Sequence, residues 1–338
     1  MKRQQKLLAR HSGEELIPKI RIALVTILLG CIIYPEPFQS FLDKLWDKLQ
    51  GIEPYRWSSF ETLWTVFWYG YLEVRMTKIF MAHPQWRFED LRVKDEKPIL
   101  RVKGMRRPSR RIAEIGVYIA PLLLMDFTMI KKFEGVSLDD ILRSGNHDLL
   151  SASYNVSSTS QHTASFLVPT FHNFTSASPL QLYRALPTTA PSSRRLVLEL
   201  CGSFLLYDTL FFLFHLAMHR LPLIRTYHLP HHKHDVQINP QVTNQLHIFE
   251  RLGLVLLANF SLNILRSHVL TRTIFVPVFV WLLVEIHSGM DLPLGYEKIL
   301  PPKWGGGAEK HALHHRTGAG GYEPFFTWWD RLLAAQNR

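Results

Sequence analysis

Cysteine is nearly absent from this chain, which has two among 338 residues, Cys31 and Cys201. Each lies inside an apolar run, so the sequence excludes a disulfide framework and a cysteine-ligated zinc cluster. Acidic residues are also few, because 28 Asp and Glu stand against 39 Lys and Arg and leave a net charge of +11. This balance predicts a basic surface whose partner is either nucleic acid or anionic lipid.

Charges are missing from several long apolar stretches, and this distribution favours a membrane protein. Four runs are candidate membrane spans: 20–34, 60–74, 112–130 and 196–218. Two further runs, 252–265 and 273–286, are about 21 Å long as helices, which is short for a hydrocarbon core of about 30 Å. We interpret them as a hairpin that dips into the bilayer or packs inside the bundle. Arg266 and Arg272 near its tip argue against a full crossing.

The charges between these runs predict the topology. Residues 85–113 carry ten Lys or Arg, whereas 36–58 carry three. A cytosolic N-terminus places 85–113 and the end of the fourth run in the cytosol, as the positive-inside tendency expects. The segment 132–195 is then lumenal, and it contains two N-glycosylation acceptors, Asn155 and Asn173. We interpret 85–113 as a membrane-surface loop and expect no nucleic-acid partner.

Histidine is abundant, with 17 residues, of which twelve lie between His215 and His315. The first histidine box is His215-Leu-Ala-Met-His219, and residues four apart share one helical face, so both imidazoles can reach one metal ion. Zinc metalloproteases use the same spacing, but they need a glutamate directly after the first histidine, where this chain has Leu216. The sequence therefore argues against a metalloprotease.

Two copies of the pattern HxxHH follow, beginning at His228 and His311. On a helix the first and fourth positions share a face, and we expect the fifth, about 100° further round, to face a second metal. His287 and His247 lie at the two ends of the hairpin, which brings both to the face of the membrane that carries the boxes. The predicted metal ligands are His215, His219, His228, His231, His232, His287, His311, His314 and His315, with His247 a tenth candidate.

Imidazole is a suitable ligand for iron, zinc, copper and nickel. Eight or more such ligands can hold two ions and leave positions open for a small molecule. Zinc would activate water for hydrolysis. Two irons beside a bilayer would instead use O2 to attack an unactivated C–H bond of an apolar substrate, and the spacing leaves both alternatives open. A solvated histidine-rich surface is disfavoured because the spacing recurs at distant places in the chain.

With these motifs the sequence resembles the fatty acid hydroxylase and sterol desaturase superfamily, integral membrane di-iron enzymes whose three boxes it matches in order. Asp208 stands seven residues before the first box, as in that superfamily. The stretch His287-Ser-Gly-Met-Asp291-Leu-Pro293 and the pair Trp329-Asp330 match two more of its motifs. The tail is most similar to the cholesterol 25-hydroxylases. The resemblance covers about residues 196–333, and the first 190 residues match only as a hydrophobic layout.

The resemblance implies a hydroxylase, or monooxygenase, of a sterol or another lipid-like or terpenoid substrate. It implies an endoplasmic reticulum membrane protein with cytosolic histidine boxes. The implied cofactors are two Fe ions, which zinc can replace on overexpression, O2, and electrons from NAD(P)H through cytochrome b5 or a reductase. Asp208 and Asp291 are implied as carboxylates that support the ligands. A desaturase of the same substrates is one alternative, and a non-oxidative membrane metal-binding or transport protein is another.

Two positions depart from the superfamily pattern beside the ligands. Leu229-Pro230 follows His228 where a lysine is usual, and Ala312 follows His311 where an aspartate is usual. An aspartate there could orient an imidazole. All ligand histidines are kept, so we expect metal binding, whereas the substrate is expected to differ from the usual sterol. A regulatory binding protein that has lost catalysis is a third alternative.

The predicted fold class is all-α integral membrane, a bundle of about four transmembrane helices plus a short hairpin, with a cytosolic histidine-rich di-metal site. We divide the chain into three regions. Residues 1–110 form an N-terminal membrane anchor with the basic cytosolic loop, and 111–195 form a transmembrane helix with a Ser/Thr-rich lumenal loop. Residues 196–338 form the catalytic domain.

Overall fold

The computed structural model describes residues 13, 15–88, 105, 112–148, 166–232 and 238–336. Most of the basic loop 85–113 and the acceptor Asn155 lie outside these ranges. Asn173 is exposed, and its Nδ2 donates to the Asn146 carbonyl, while glycosylation there stays a prediction. In the described part the only β-pairing is three isolated bridges, so the predicted all-α class is confirmed.

Twelve α-helices occupy the described ranges. They are α1 (Leu16–Ile33), α2 (Glu36–Gln50), α3 (Phe60–Ala82), α4 (Ile112–Thr128), α5 (Leu138–Ser144), α6 (Ser193–Arg220), α7 (Pro222–His232), α8 (Ile248–Ile264), α9 (Val269–Ile286), α10 (Tyr296–Ile299), α11 (Gly307–Thr317) and α12 (Trp328–Gln336). Short 3-10 helices lie at Glu53–Arg56, Pro84–Trp86 and Pro240–Asn244.

Three of the described helices, α1, α6 and α9, are long and apolar enough to cross a membrane. The sequence prediction differed at α9, whose first turn it left out. His268 caps this helix, because its Nδ1 accepts the Leu270 N–H at 3.0 Å, and helix therefore begins at Val269 and reaches 18 residues. The second arm of the hairpin is thus longer than expected. The predicted spans in α3 and α4 are not among these three helices. Helix α3 contains four charged residues, Glu61, Glu73, Arg75 and Lys78, and α4 has only 17 residues.

Aromatic side chains join the C-terminal tail to the centre of the bundle. Tyr207 of α6 packs edge-on against Phe279 of α9, with ring centroids 4.7 Å apart, and stacks on Phe325 at 5.8 Å. All three rings are buried. Because burial of an aromatic ring removes a large apolar area from water, the stretch after the third box is fixed to the two central helices.

A buried ion network ties the segment before α6 to α3 and α9. Glu61 Oε1 accepts from Arg184 Nη1 at 3.1 Å and from Arg272 Nε at 3.0 Å. Arg184 also donates to the Tyr55 carbonyl at 2.7 Å, and Arg272 donates to Asn263 and Asn259. Arg272 is therefore not at an exposed hairpin tip, as the sequence suggested, but buried inside α9.

The network predicts that Glu61→Leu destabilises the fold, because it leaves two buried guanidinium groups without their shared carboxylate. Breaking a buried ion pair from one side costs about 3–5 kcal/mol. The free energy of unfolding, measured by denaturant titration in mixed micelles, is expected to fall by that amount. The same substitution at exposed Glu53 is the control, and equal losses in the two variants would contradict the account.

Candidate metal centre

The three histidine boxes lie in helices α6, α7 and α11, and His287 lies at the end of α9. His215 and His219 lie in the last turns of α6, the second box ends α7 and the third box lies in α11. His287 follows the last residue of α9. Gly318 ends α11 in the left-handed region, with φ of 66°, a conformation that glycine adopts without steric cost. The chain therefore turns back directly after the third box, and its backbone carbonyls at Gly320 and Tyr322 contact His314 and His215.

The nine predicted ligands come together as two groups, within each of which the nitrogen atoms all lie within 4.8 Å of one another. The five-histidine group consists of His215, His219, His228, His232 and His314. The four-histidine group consists of His231, His287, His311 and His315. The two groups are in ring contact, since the His231 and His232 centroids are 5.8 Å apart.

Each HxxHH box contributes to both groups, but the division differs from the prediction. The first and fifth histidines of a box stay together, as His228 and His232 do, and the fourth, His231, joins the other group. The prediction paired the first with the fourth. At about 100° per residue the fifth position is only about 40° from the first, whereas the fourth is about 60° away on the other side. The pairing by i and i+4 is therefore the closer one.

Backbone carbonyls determine which ring nitrogen carries the proton. The Nδ1 of His215 lies 2.9 Å from the Tyr322 carbonyl, and that of His314 lies 2.5 Å from the Gly320 carbonyl. In the second group, His287 Nδ1 lies 2.7 Å from the Leu283 carbonyl and His231 Nδ1 lies 3.3 Å from that of Gln245. A carbonyl only accepts, so each Nδ1 carries the proton, and in the neutral ring Nε2 then presents a lone pair.

These lone pairs face each other at short range. The Nε2 atoms of His215 and His314 are 3.1 Å apart, and those of His231 and His287 are 3.3 Å apart. Neither atom of either pair has a hydrogen to donate in the neutral tautomer, so the contact is repulsive unless a cation lies between them. The donor set, nine imidazole nitrogens in two groups, therefore fits two borderline cations such as iron or zinc.

Burial keeps the imidazoles neutral. Removal from water and the neighbouring rings His232 and His219 lower the pKa of His228 to about 2. The same causes, with burial the larger, lower the pKa of His314 to about 3. Burial also places the pKa values of His231 and His311 well below the usual range, with the His287 ring as the next cause. Metal ligation requires the neutral form, and the site favours it across the physiological pH range.

A glutamate that sequence reasoning had not assigned supports the five-histidine group. Glu250, in the first turn of α8, exposes 3% of its side chain, and its Oε1 accepts a hydrogen bond from His228 Nδ1 at 2.9 Å. Burial raises its pKa well above the usual range, and a cation at His228 Nε2 would favour the carboxylate. The neighbouring candidate His247 lies outside both groups. Its Nδ1 caps α8 by accepting the Phe249 N–H.

Asp208 supports the site through the backbone. Seven residues separate it from His215, which places both on one face of α6. Its Oδ1 accepts the N–H groups of Phe325 and Phe326 at 2.9 and 3.1 Å. The tail held in this way brings the Tyr322 carbonyl to His215. Asp291 forms an ion pair with Lys298 at 2.5 Å, and its support of a ligand stays a prediction.

The two departures from the superfamily pattern lie in different surroundings. Leu229 exposes 37% of its surface, whereas Ala312 is buried. The Nδ1 of the preceding residue, His311, is buried and makes no hydrogen bond within the described ranges. The apolar side chain at position 312 therefore leaves the Nδ1 of His311 without an acceptor, while its Nε2 contacts the Nε2 atoms of His287 and His315 at 3.0 and 3.1 Å.

The two groups predict separate losses of metal. His314→Ala and His311→Ala, one in each group, are each expected to lower the metal content from two ions per chain to about one, measured by mass spectrometry of the purified protein. His247→Ala is expected to keep both ions, because His247 lies outside the groups. A full metal complement in His314→Ala, or an equal loss in His247→Ala, would refute the assignment.

Glu250 predicts a graded effect on affinity. Removal of a hydrogen-bond acceptor behind a metal ligand typically costs tenfold to a hundredfold in metal affinity. We expect that loss in Glu250→Leu, measured by competition with a chelator, and a smaller one in Glu250→Gln, whose amide oxygen still accepts from His228 Nδ1. Exposed Glu309 offers a control substitution to leucine. Unchanged affinity in Glu250→Leu would remove the role given to this residue.

Comparison with known proteins matches the same part of the chain. Residues 200–335 match the fatty acid hydroxylase family. Cholesterol 25-hydroxylase of Rattus norvegicus is 36% identical over 149 residues, which cover 44% of this chain and 50% of the relative. The human protein of that name is 34% identical over 149 residues, covering 44% of this chain and 54% of the relative.

A methylsterol monooxygenase of Aspergillus fumigatus is 33% identical over 150 residues, which cover 42% of this chain and 48% of the relative. The chain thus spans about half the length of the curated relatives it matches. No solved structure matches it. The region that matches the fatty acid hydroxylase family, residues 200–335, contains all nine clustered histidines together with Asp208 and Glu250.

Proposed function

We propose that this protein is an O2-dependent hydroxylase of a sterol or another lipid-like molecule, with two Fe ions bound by the nine clustered histidines. The observation that carries the proposal is the pair of all-imidazole groups whose lone pairs converge at one end of two membrane-length helices, α6 and α9. The similarity to sterol hydroxylases and a methylsterol monooxygenase supports the same reaction class. The substrate is proposed as sterol-like on that similarity alone.

The overall reaction converts a C–H bond, O2, two electrons and two protons into a C–OH bond and one water molecule. Iron, when bound, supplies the activation of O2. NAD(P)H is the proposed electron source, through cytochrome b5 or a reductase. The histidines contribute neutral ligands, and the carbonyls of Tyr322 and Gly320 hold two of them in position. Burial of His215, His231 and His314 excludes water from the ligand side of the site.

The location proposed is the endoplasmic reticulum membrane, with the boxes on the cytosolic face. The distribution of basic residues supports this orientation, and a cytosolic site is accessible to a soluble or membrane-anchored electron donor. The bilayer would deliver the apolar substrate. Because three described helices are long and apolar enough to cross a membrane, the substrate and the site can meet without passage of the substrate through water.

A non-oxidative metal transporter is the alternative from another class, and the acidic groups of the long helices disfavour it. A transport path needs polar groups that are available to an ion inside the membrane. Glu199 instead accepts from Thr271 and from the His268 N–H. Asp208 accepts two backbone N–H groups of the tail. These carboxylate oxygens hold helices and loops together, so they are already occupied by protein donors.

The proposal predicts an oxidised lipid that depends on the histidine groups. A host that expresses the wild type is expected to accumulate a product with one added oxygen, detected by untargeted mass spectrometry of its lipids. His231→Ala and His314→Ala are expected to abolish it, and His247→Ala to retain it. A product that has lost two hydrogens would identify the desaturase instead. Product formation by either box variant at the wild-type level would refute the catalytic role of the groups.

A further inference from the structure

A large apolar cavity lies between α3, α4, α8 and α9, with a volume of about 640 Å³. None of the nine clustered histidines lines it. Its walls are mostly apolar side chains, of which Val66, Leu122, Leu254 and Phe275 represent the four helices in turn. A cavity of this size and lining suits a drug-sized apolar molecule, since such sites usually combine apolar walls with few polar groups.

One end of the cavity carries a carboxylate oxygen without a partner. Asp126 exposes 3% of its surface, and its Oδ1 accepts a hydrogen bond from the Lys131 ammonium group. Its Oδ2 is buried and accepts no hydrogen bond within the described ranges. The Thr62 side chain hydrogen-bonds this carboxyl group, and Oδ2 is the oxygen that stays without a donor. A buried acceptor left unsatisfied costs free energy, so this oxygen is suited to a donor supplied by a ligand.

The other charged groups at this end already have protein partners. Glu61 is shared between Arg184 and Arg272, and the remaining Arg272 nitrogens donate to Asn259 and Asn263. Among the described carboxylates at this end, the Oδ2 atom of Asp126 is the buried acceptor that a bound molecule would find without a protein donor. This oxygen needs a hydrogen-bond donor, which an alcohol provides and a fatty acid carboxylate does not.

The opposite end of the cavity adjoins the four-histidine group. Asn244 and Leu246 line the cavity there, and the carbonyl of Gln245 between them lies 3.3 Å from His231 Nδ1. Asn244 is bonded to Glu73 and to Arg251. Along α8, Arg251 at this end and Asn263 at the other are twelve residues apart, which corresponds to about 18 Å of helix.

We propose that the cavity binds an elongated apolar molecule with one terminal hydroxyl group, which donates to Asp126 Oδ2. The far end of the molecule then lies against Asn244 and Leu246, beside the four-histidine group. This inference rests on the proposed function and makes it more specific, because the carbon oxidised would be remote from the hydroxyl group. Asp126 acts here as a positioning residue about 18 Å from the reacting end.

Binding to the purified full-length protein in nanodiscs tests the proposal without turnover. The probe is a photoreactive cholesterol, and the competitors are cholesterol, octadecanol and geranylgeraniol, each with its deoxy counterpart, and stearate. Wild type is expected to prefer at least one alcohol over its deoxy counterpart by roughly tenfold to a hundredfold, the usual effect of a hydrogen bond to a charged group. Asp126→Leu is expected to lose this preference, and Asp126→Asn to keep part of it.

Leu122→Ala is the matched control on the same helix, because it enlarges the cavity and should weaken alcohol and deoxy competitors alike. Two probes test the orientation. A photoreactive group at the tail is expected to label the peptide around 244–254, and one beside the hydroxyl group to label that around 125–130. Reversed labelling, full alcohol preference in both Asp126 variants, or no competition by any alcohol would overturn the proposal.

The experiments distinguish a failure of the proposed hydroxylase function from a failure of the proposed cavity assignment. Alcohol binding that depends on Asp126, without any oxidised product from the wild type, would leave the cavity assignment intact and refute the hydroxylase. Both Asp126 variants should retain the metal content of the wild type, because Asp126 touches neither histidine group. If Asp126→Leu fails to fold, the partial loss in Asp126→Asn and the labelling pattern decide the result.

Discussion

The arrangement depends on imidazole lone pairs that face one another across about 3 Å in a buried space. Such contacts are unfavourable by themselves, and the surrounding protein enforces them. It commits each Nδ1 proton of His215, His231, His287 and His314 to a carbonyl. The rings cannot exchange tautomers to relieve the repulsion without breaking these bonds. A site under this constraint is relaxed by a cation, and that requirement explains why so much of the fold serves to orient ring nitrogens.

The C-terminal tail meets this requirement by supplying carbonyl groups. Two carboxylates hold the tail in place: Asp208 binds the N–H groups of Phe325 and Phe326, and Asp330 accepts the Tyr322 N–H at 2.9 Å. Phe325 inserts among the rings of the two central helices. Fold and site are therefore coupled, because the packing that buries the tail also places the Tyr322 and Gly320 carbonyls against their histidines.

Much of this site could be predicted from spacing. The i and i+4 relation within the first box, the repeated HxxHH pattern and the position of His287 at the end of a helix identified the ligands that cluster. The seven-residue offset of Asp208 marked a residue of structural importance. The division of each HxxHH box between the two groups could not be predicted correctly, because the fourth and fifth positions differ from the first by similar angles on opposite sides. The supporting carbonyls of Tyr322 and Gly320 carry no side-chain signal. Glu250 lies outside the histidine boxes and 22 residues after His228, so no spacing in the sequence predicts their contact.

The helices coincide with the apolar runs of the sequence except at α9, where a helix cap and a buried charge change the result. His268 begins α9 one turn before the apolar run does, and Arg272 tolerates burial because Glu61 and two asparagines neutralise or accept from it. From the sequence, Arg272 in an apolar run indicated a hairpin tip, because its main partner, Glu61, is 211 residues away and sequence spacing does not reveal the contact.

The central claim is that two cations are held by imidazole nitrogen alone. X-ray absorption spectroscopy of the iron-loaded protein tests it most directly. The account predicts two irons per chain whose nearest protein ligands are imidazole nitrogens, with no sulfur ligand and with the multiple-scattering pattern of several histidine rings. One iron per chain, or scattering dominated by sulfur or carboxylate oxygen, would contradict it.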